Sequence, residues 1–213
     1  NLPDLPVSDL IVWRNDLVIS TMGRGFYVLD NVVPLEQYTP AVEAAPDAVL
    51  FAPPPAIRST DGAVITYWLK HPAKDVRLDI LDAAGRVIRE YKPDTSNTPA
   101  RGRGGFGRFG FASAPPKTAG IDHFTWDLRY APATSFPGMI LWGASTQGPA
   151  APPGRYTVRL IVDGGSFTQP VMVTRNPLFT DVSDPALRAQ FALAIQIRDK
   201  LSEANEAVID VRN

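Results

Sequence analysis

The chain has 213 residues, of which 45% are hydrophobic and 20% charged, with a formal net charge of −1 and no cysteine. That length holds one or two domains with a substantial core. The near-neutral balance supplies no electrostatic footprint for nucleic acid or an anionic membrane, and the missing cysteines exclude disulfides, thiolate nucleophiles and zinc–thiolate sites.

Proline is over-represented, with 21 residues. Prolines interrupt helices and central strands, so many short segments separated by turns are expected. No run of 18 apolar residues exists to span a membrane, and no signal-peptide pattern is expected in these residues. The first residue is Asn1 rather than methionine, and the expectation is that the chain starts inside a longer protein.

Residues 10–14 (LIVWR), 17–21 (LVIST) and 26–30 (FYVLD) read as three short strands. Asn15-Asp16 and Gly23-Arg24-Gly25 supply the turns between them. A lone meander of this kind has open edges and little core. The next stretch, through residue 60, carries six prolines and little periodicity. It reads as a linker over 34–60 with one helical turn near Pro34–Gln37.

The β pattern resumes with 63–70 and a hairpin over 76–92. In that hairpin Val76, Leu78 and Ile80 alternate with Arg77, Asp79 and Leu81. Further strands are expected at 120–128 and 138–145, and a hairpin at 155–175 turns on Asp163-Gly164-Gly165. About seven strands with turn signals between them suit an Ig-like sandwich over 61–177.

The tail, 184–213, predicts a long helix with Asp184 as N-cap and Pro185 in the first turn. Leu187, Phe191, Ala194, Ile197, Leu201, Ala204, Val208 and Val211 form a near-heptad stripe. Such a stripe has to bury itself against the sandwich, a second helix or a partner chain.

Chemistry-bearing residues are sparse. His71 precedes Pro72 in a turn. His123 neighbours Asp122 in a strand, so the two point to opposite faces and form no dyad. Asp75, Asp79 and Asp82 flank the first hairpin and are expected as solvated strand charges, since a glycosidase needs two carboxylates facing across a cleft. Phe124 and Trp126 share a face, which makes Trp126 a core residue between sheets. Tyr67 and Trp68 fall on opposite faces, one expected inside and one outside.

Trp142 follows Pro137-Gly138. Packing within its loop is the favoured expectation, and an exposed ring stacking on a sugar is the alternative. Phe106 and Phe109, in the glycine- and arginine-rich loop 98–117, join Trp142 as candidate carbohydrate contacts. That loop is expected to be mobile or to dock on a neighbouring domain, and nucleic-acid binding is disfavoured. No catalytic residue, metal ligand or cofactor is assigned. Gly23-Arg24-Gly25 is not a phosphate loop, because no Gly-Lys-Ser/Thr follows it.

The segment DLIVWRNDLVISTMGRGFYVLDNVVPLEQ (9–37) resembles the last blade of the large β-propellers of bacterial BNR-repeat, VPS10/sortilin-like, glycosyl-hydrolase-related proteins. Met22 stands where histidine is usual, and Gly25 with Phe26-Tyr27 where Ser-Phe-Trp is usual. HFTWDLRY (123–130) and PPGRYTVRLIVDGGSFTQPVMV (152–173) resemble the FlgD-like Ig-like domain that follows such propellers. QFALAIQIRDKLSEANEAV (190–208) is similar to their helical C-terminal segment.

The resemblance implies last-blade strands over 1–33, then the linker, the sandwich and the helix. It implies an exported, periplasmic or extracellular protein. Its function would be that of a non-catalytic accessory region packing against its own N-terminal propeller, with a homodimer or helix partner through the tail. A carbohydrate-binding module, or a piece of a glycan hydrolase whose active site lies on the propeller, are the alternatives. No Asp-box is present, so the hydrolase label attaches to no residue here.

Overall fold

The structure is a computed structural model and describes residues 4–59, 61–93, 114–143 and 145–212. The fold is mainly β with a long C-terminal helix, and it divides into two compact units, residues 1–46 and 47–213.

The first unit is an antiparallel meander of β1 (Val7–Trp13), β2 (Asp16–Thr21) and β3 (Gly25–Leu29), followed by the short helices α1 (Val33–Gln37) and α2 (Pro40–Ala44). The three expected strands are present. The first turn is taken at Arg14, whose φ of 56° lies in the left-handed region. Pro34 stands at the start of α1, where its missing N–H costs nothing.

The second unit contains two sheets. One has five strands in the order β5-β11-β10-β7-β8, comprising β5 (Ala56–Ile57), β7 (Val76–Leu81), β8 (Val87–Tyr91), β10 (Gly154–Val162) and β11 (Gly165–Thr174). The other has three in the order β4-β6-β9, comprising β4 (Ala48–Leu50), β6 (Ala63–Leu69) and β9 (Gly120–Trp126). Both feed one hydrophobic core. Ile65, Tyr67, Phe124 and Trp126 of the smaller sheet join Leu78, Ile80, Val158 and Leu160 of the larger. Edge-on ring contacts, Tyr91 with Phe124 at 4.7 Å and Trp126 with Tyr156 at 5.3 Å, link the two sets of strands.

Several expectations need correction. The stretch 34–60 is not a bare linker, since it contributes two helices and the strands β4 and β5. These strands are two or three residues long and separated by Pro53, Pro54 and Pro55, so no period shows in sequence. The described residues of 138–145 form no strand, because the Pro137-Gly138 turn leads into backbone that finds no sheet partner among the described residues. Tyr67 and Trp68 are both buried, although they lie on opposite faces.

Asp79 is not a solvated strand charge. It is completely buried between two arginines. Phe106 and Phe109 lie outside the described residues.

The helix α3 (Asp184–Arg212) starts one residue earlier than expected. Ser183 is the cap, its Oγ accepting from the Ala186 N–H at 3.3 Å. The expected stripe also departs from the buried face. Leu187 is buried and Phe191, Ala194 and Leu201 are partly covered, but Ile197 is 61% exposed and Ala204, Val208 and Val211 face solvent. A heptad line drifts by ~20° per seven residues on a straight helix, so it leaves the contact face within a few turns. Arg198, Ser202 and Asn205 take its place.

Candidate functional site

The segment after β9 carries the most specific local chemistry. Trp126-Asp127-Leu128-Arg129 is a corner in which every side chain is spent on structure. The Trp126 indole N–H donates to the Arg129 carbonyl at 3.0 Å. Asp127 accepts from the Arg129 N–H at 3.1 Å and from the Tyr91 hydroxyl at 3.2 Å. Leu128, buried, takes a φ of 55° that side chains rarely adopt. Arg129 reaches the Gly148 carbonyl at 3.0 Å. A Cβ on Gly148 would sit 2.0 Å from the Tyr130 carbonyl oxygen, so only glycine lets the two chain segments approach.

Beyond this corner the chain forms a loop closed at its base by the Ala133 N–H donating to the Thr146 carbonyl at 2.8 Å. Loops of this size with close ends are compact and frequently functional. Among its described residues the backbone has no sheet ladder, and buried N–H and C=O groups need partners. Helix α3 supplies them. Asn205 Nδ2 donates to the Thr134 carbonyl at 2.6 Å, the Thr134 N–H donates to Ser202 Oγ at 3.1 Å, and Arg198 donates to the Ala131 carbonyl at 3.0 Å. The Thr134 hydroxyl pairs with Glu206 at 2.8 Å. Tyr130 packs on Phe191 at 4.6 Å, and the Arg212 guanidinium stacks over Phe136 at 4.6 Å. The polar residues on the helix therefore serve the loop, which explains why an apolar stripe alone misjudged the contact face.

The loop tip turns at Pro137-Gly138, with Met139 N–H bonded back to the Phe136 carbonyl at 3.3 Å and Gly138 at φ 79°. Pro at the second and Gly at the third position is the type II turn pattern. The tip presents Ile140, 73% exposed, and Trp142, 93% exposed. The packed-loop expectation for Trp142 is thus overturned. This pair forms an apolar contact point on an anchored base.

The remaining sequence candidates are dispersed. His123 Nδ1 lies 2.9 Å from Thr66 Oγ1 on the neighbouring strand, while Asp122 on the other face accepts from Thr118. His71 is exposed in its turn. Asp75 is exposed at the start of β7. Asp82 closes the β7–β8 turn, accepting from the Ala84 and Arg86 N–H groups at 2.9 and 3.0 Å and from Arg86 Nε at 2.8 Å. Burial raises its pKa, but these hydrogen bonds outweigh burial and hold the carboxyl below its usual range.

Asp79 accepts both oxygens' worth of bonds from Arg77, at 3.0 and 2.9 Å, and from Arg159, at 3.0 and 2.5 Å. Glu90, opposite Asp79 in register, pairs with Arg77 at 3.1 Å. Sequence reading missed this cluster, although the alternation of Arg77, Asp79 and Arg159 on facing strands was its only signal. Asp79 and Asp82 are engaged separately and Asp75 is exposed, so among the described residues the three make no paired-carboxylate site.

No protein-family model and no curated protein matches the chain. Among solved structures, the crystal structure of dimeric latent PorU from Porphyromonas gingivalis is similar at 17% identity, covering 76% of this chain with a TM-score of 0.33. The chain spans 12% of that protein's length, and a likeness this slight transfers neither fold nor function.

Proposed function

We propose that this chain is a non-catalytic accessory and scaffold region of a larger exported β protein, packing neighbouring domains rather than transforming a substrate. The observation that carries this reading is the β1–β3 sheet. Its register puts Leu10, Ile19 and Tyr27 with Val12, Leu17 and Leu29 on one face, and Ile11, Val18 and Val28 with Trp13 and Phe26 on the other. Phe26 is 75% exposed, and every residue of β1 faces solvent. A sheet apolar on both faces is suited to lie between two other layers, as a propeller blade does.

An Ig-like sandwich for the second unit is supported by the shared core, by fully buried Trp126, and by the Tyr156 hydroxyl. That hydroxyl reaches back to the Pro152 carbonyl at 2.8 Å, in the manner of a tyrosine corner. Helix α3 turns one side to the Trp142 loop and leaves Leu193, Ile197, Val208 and Val211 on its outer side for a homodimer or helix partner.

The test is a double substitution on exposed positions of the whole chain, Leu10→Lys with Phe26→Glu. The parent chain is expected to bind a hydrophobic-surface dye and self-associate in light scattering, and the double variant to lose both at an unchanged melting temperature. Equal dye binding and equal mass for the two proteins would sink the reading.

A second reading, a carbohydrate-binding module, is favoured by the exposure of Trp142. Tryptophan fluorescence that shifts on titration with oligosaccharides, and is lost in Trp142→Ala, would support it. A third places the piece beside a glycan hydrolase whose active site lies on another domain, and glycosidase activity in the isolated chain would contradict it.

A further inference from the structure

A cleft of about 420 Å³ opens between the end of β11, the segment after β5 and the first turns of α3. Its walls include Arg58, Arg175, Asn176, Phe179, Val182 and Leu187. Two arginines therefore line one cavity. Each is fixed by one bond to a backbone carbonyl: Arg58 Nε donates to Ala151 at 3.0 Å, and Arg175 Nη1 donates to Val182 at 2.6 Å. Among the described residues neither takes part in an ion pair.

A guanidinium has five N–H donors in a rigid fork, so most of each fork is uncommitted. Two like charges beside one cavity repel, and an anion between them removes that cost. The wall also carries Phe179, Val182, Ala186 and Leu187, together with the polar Asn176 and Gln190. Charged anchors beside apolar side chains in one cavity fit a ligand that combines an anion with an apolar body.

We propose that this cleft binds a small organic carboxylate with an apolar body. The carboxylate sits between Arg58 and Arg175, where its two oxygens match the planar forks. The body lies along Phe179, Val182 and Leu187. Nothing in this proposal depends on the accessory role argued above, since the cleft lies wholly within residues 47–213.

The test titrates the full chain with octanoate, followed by calorimetry and ligand-observed NMR. Octan-1-ol and inorganic phosphate serve as comparison probes. Saturable octanoate binding is expected, with octan-1-ol and phosphate each at least about tenfold weaker, because one lacks the charge and the other the body. Arg175→Gln is expected to weaken octanoate by about tenfold at unchanged melting temperature. Phe179→Ser, at an exposed position of the wall, is expected to weaken octanoate and leave phosphate unaffected.

If Arg58→Gln unfolds the protein by freeing the Ala151 carbonyl, Arg58→Lys keeps the charge and is expected to retain binding. Non-saturating octanoate, octan-1-ol or phosphate binding as tight as octanoate, or an Arg175→Gln variant that binds like the parent would each overturn the proposal.

Discussion

Replacing Asp79 by alanine would leave the Arg77 and Arg159 guanidinium groups crowded together on the outer face of the larger sheet. Removing one partner of a buried ion pair is costly because the others have given up water for it. Both arginines keep some solvent contact and can turn outward, so the expected loss is about 3 kcal/mol, the low end for such pairs. A urea titration of Asp79→Ala measures it. Gly148→Ala should cost a similar amount, on the order of 3 kcal/mol, since its Cβ would overlap the Tyr130 backbone.

Asp82 gives a pH signature. Its folded pKa lies below its unfolded one, so it contributes stability above the unfolded value that is lost as pH falls through the folded value. Asp82→Asn keeps an oxygen for the turn N–H groups but loses the charge. The parent should be the more stable protein near neutrality, and the difference should close below about pH 4. Stability curves that stay parallel down to acid would contradict this. None of these roles was legible from sequence. A charged residue at an outward strand position looks the same whether solvent or two arginines surround it.

Among the elements, β6 was legible as an apolar run, and β7, β8, β9, β10 and β11 were legible by their alternation. Their side chains must choose a face, and the choice shows as a period of two. β4 and β5 were not, because two or three residues between prolines carry no period. The helix was legible in extent but not in orientation. Its contact face is chosen by the backbone needs of the Trp142 loop, and those needs involve a segment distant in sequence. Asn205→Ala should therefore destabilise by about 1–3 kcal/mol, leaving the Thr134 carbonyl without its donor. Ile197→Asp, on the expected seam but exposed, should change stability by less than about 0.5 kcal/mol. Thermal unfolding of the two variants separates these outcomes, and amide exchange at Thr134 should accelerate only in the first. The exposure of Trp142 was likewise hidden, since an anchored loop and a packed one share the same proline, glycine and aromatic residues.

At the scale of the molecule, residues 47–213 form a compact unit with a hydrophobic core of their own. Deleting residues 1–46 should leave the melting temperature of the remainder within a degree or two of its transition in the full chain. A fall of ten degrees would mean that the two units share stability. The full chain should show an earlier loss of amide protection in β1–β3, whose backbone bonds lie at the surface.

The pairing of β5 with β11 also constrains how the chain can be made. Thr174 closes on Ala56 across 118 residues, and β5 runs parallel to β11 at the sheet edge. A ribosome adding about 5–20 residues per second needs roughly 6–24 s to supply that partner. Throughout that interval the nascent segment from Pro53 to Ile57 waits without its ladder partners Val173 and Thr174. Its three consecutive prolines cannot pair with a stray strand in the meantime, so the stretch that delays closure is also protected from premature aggregation.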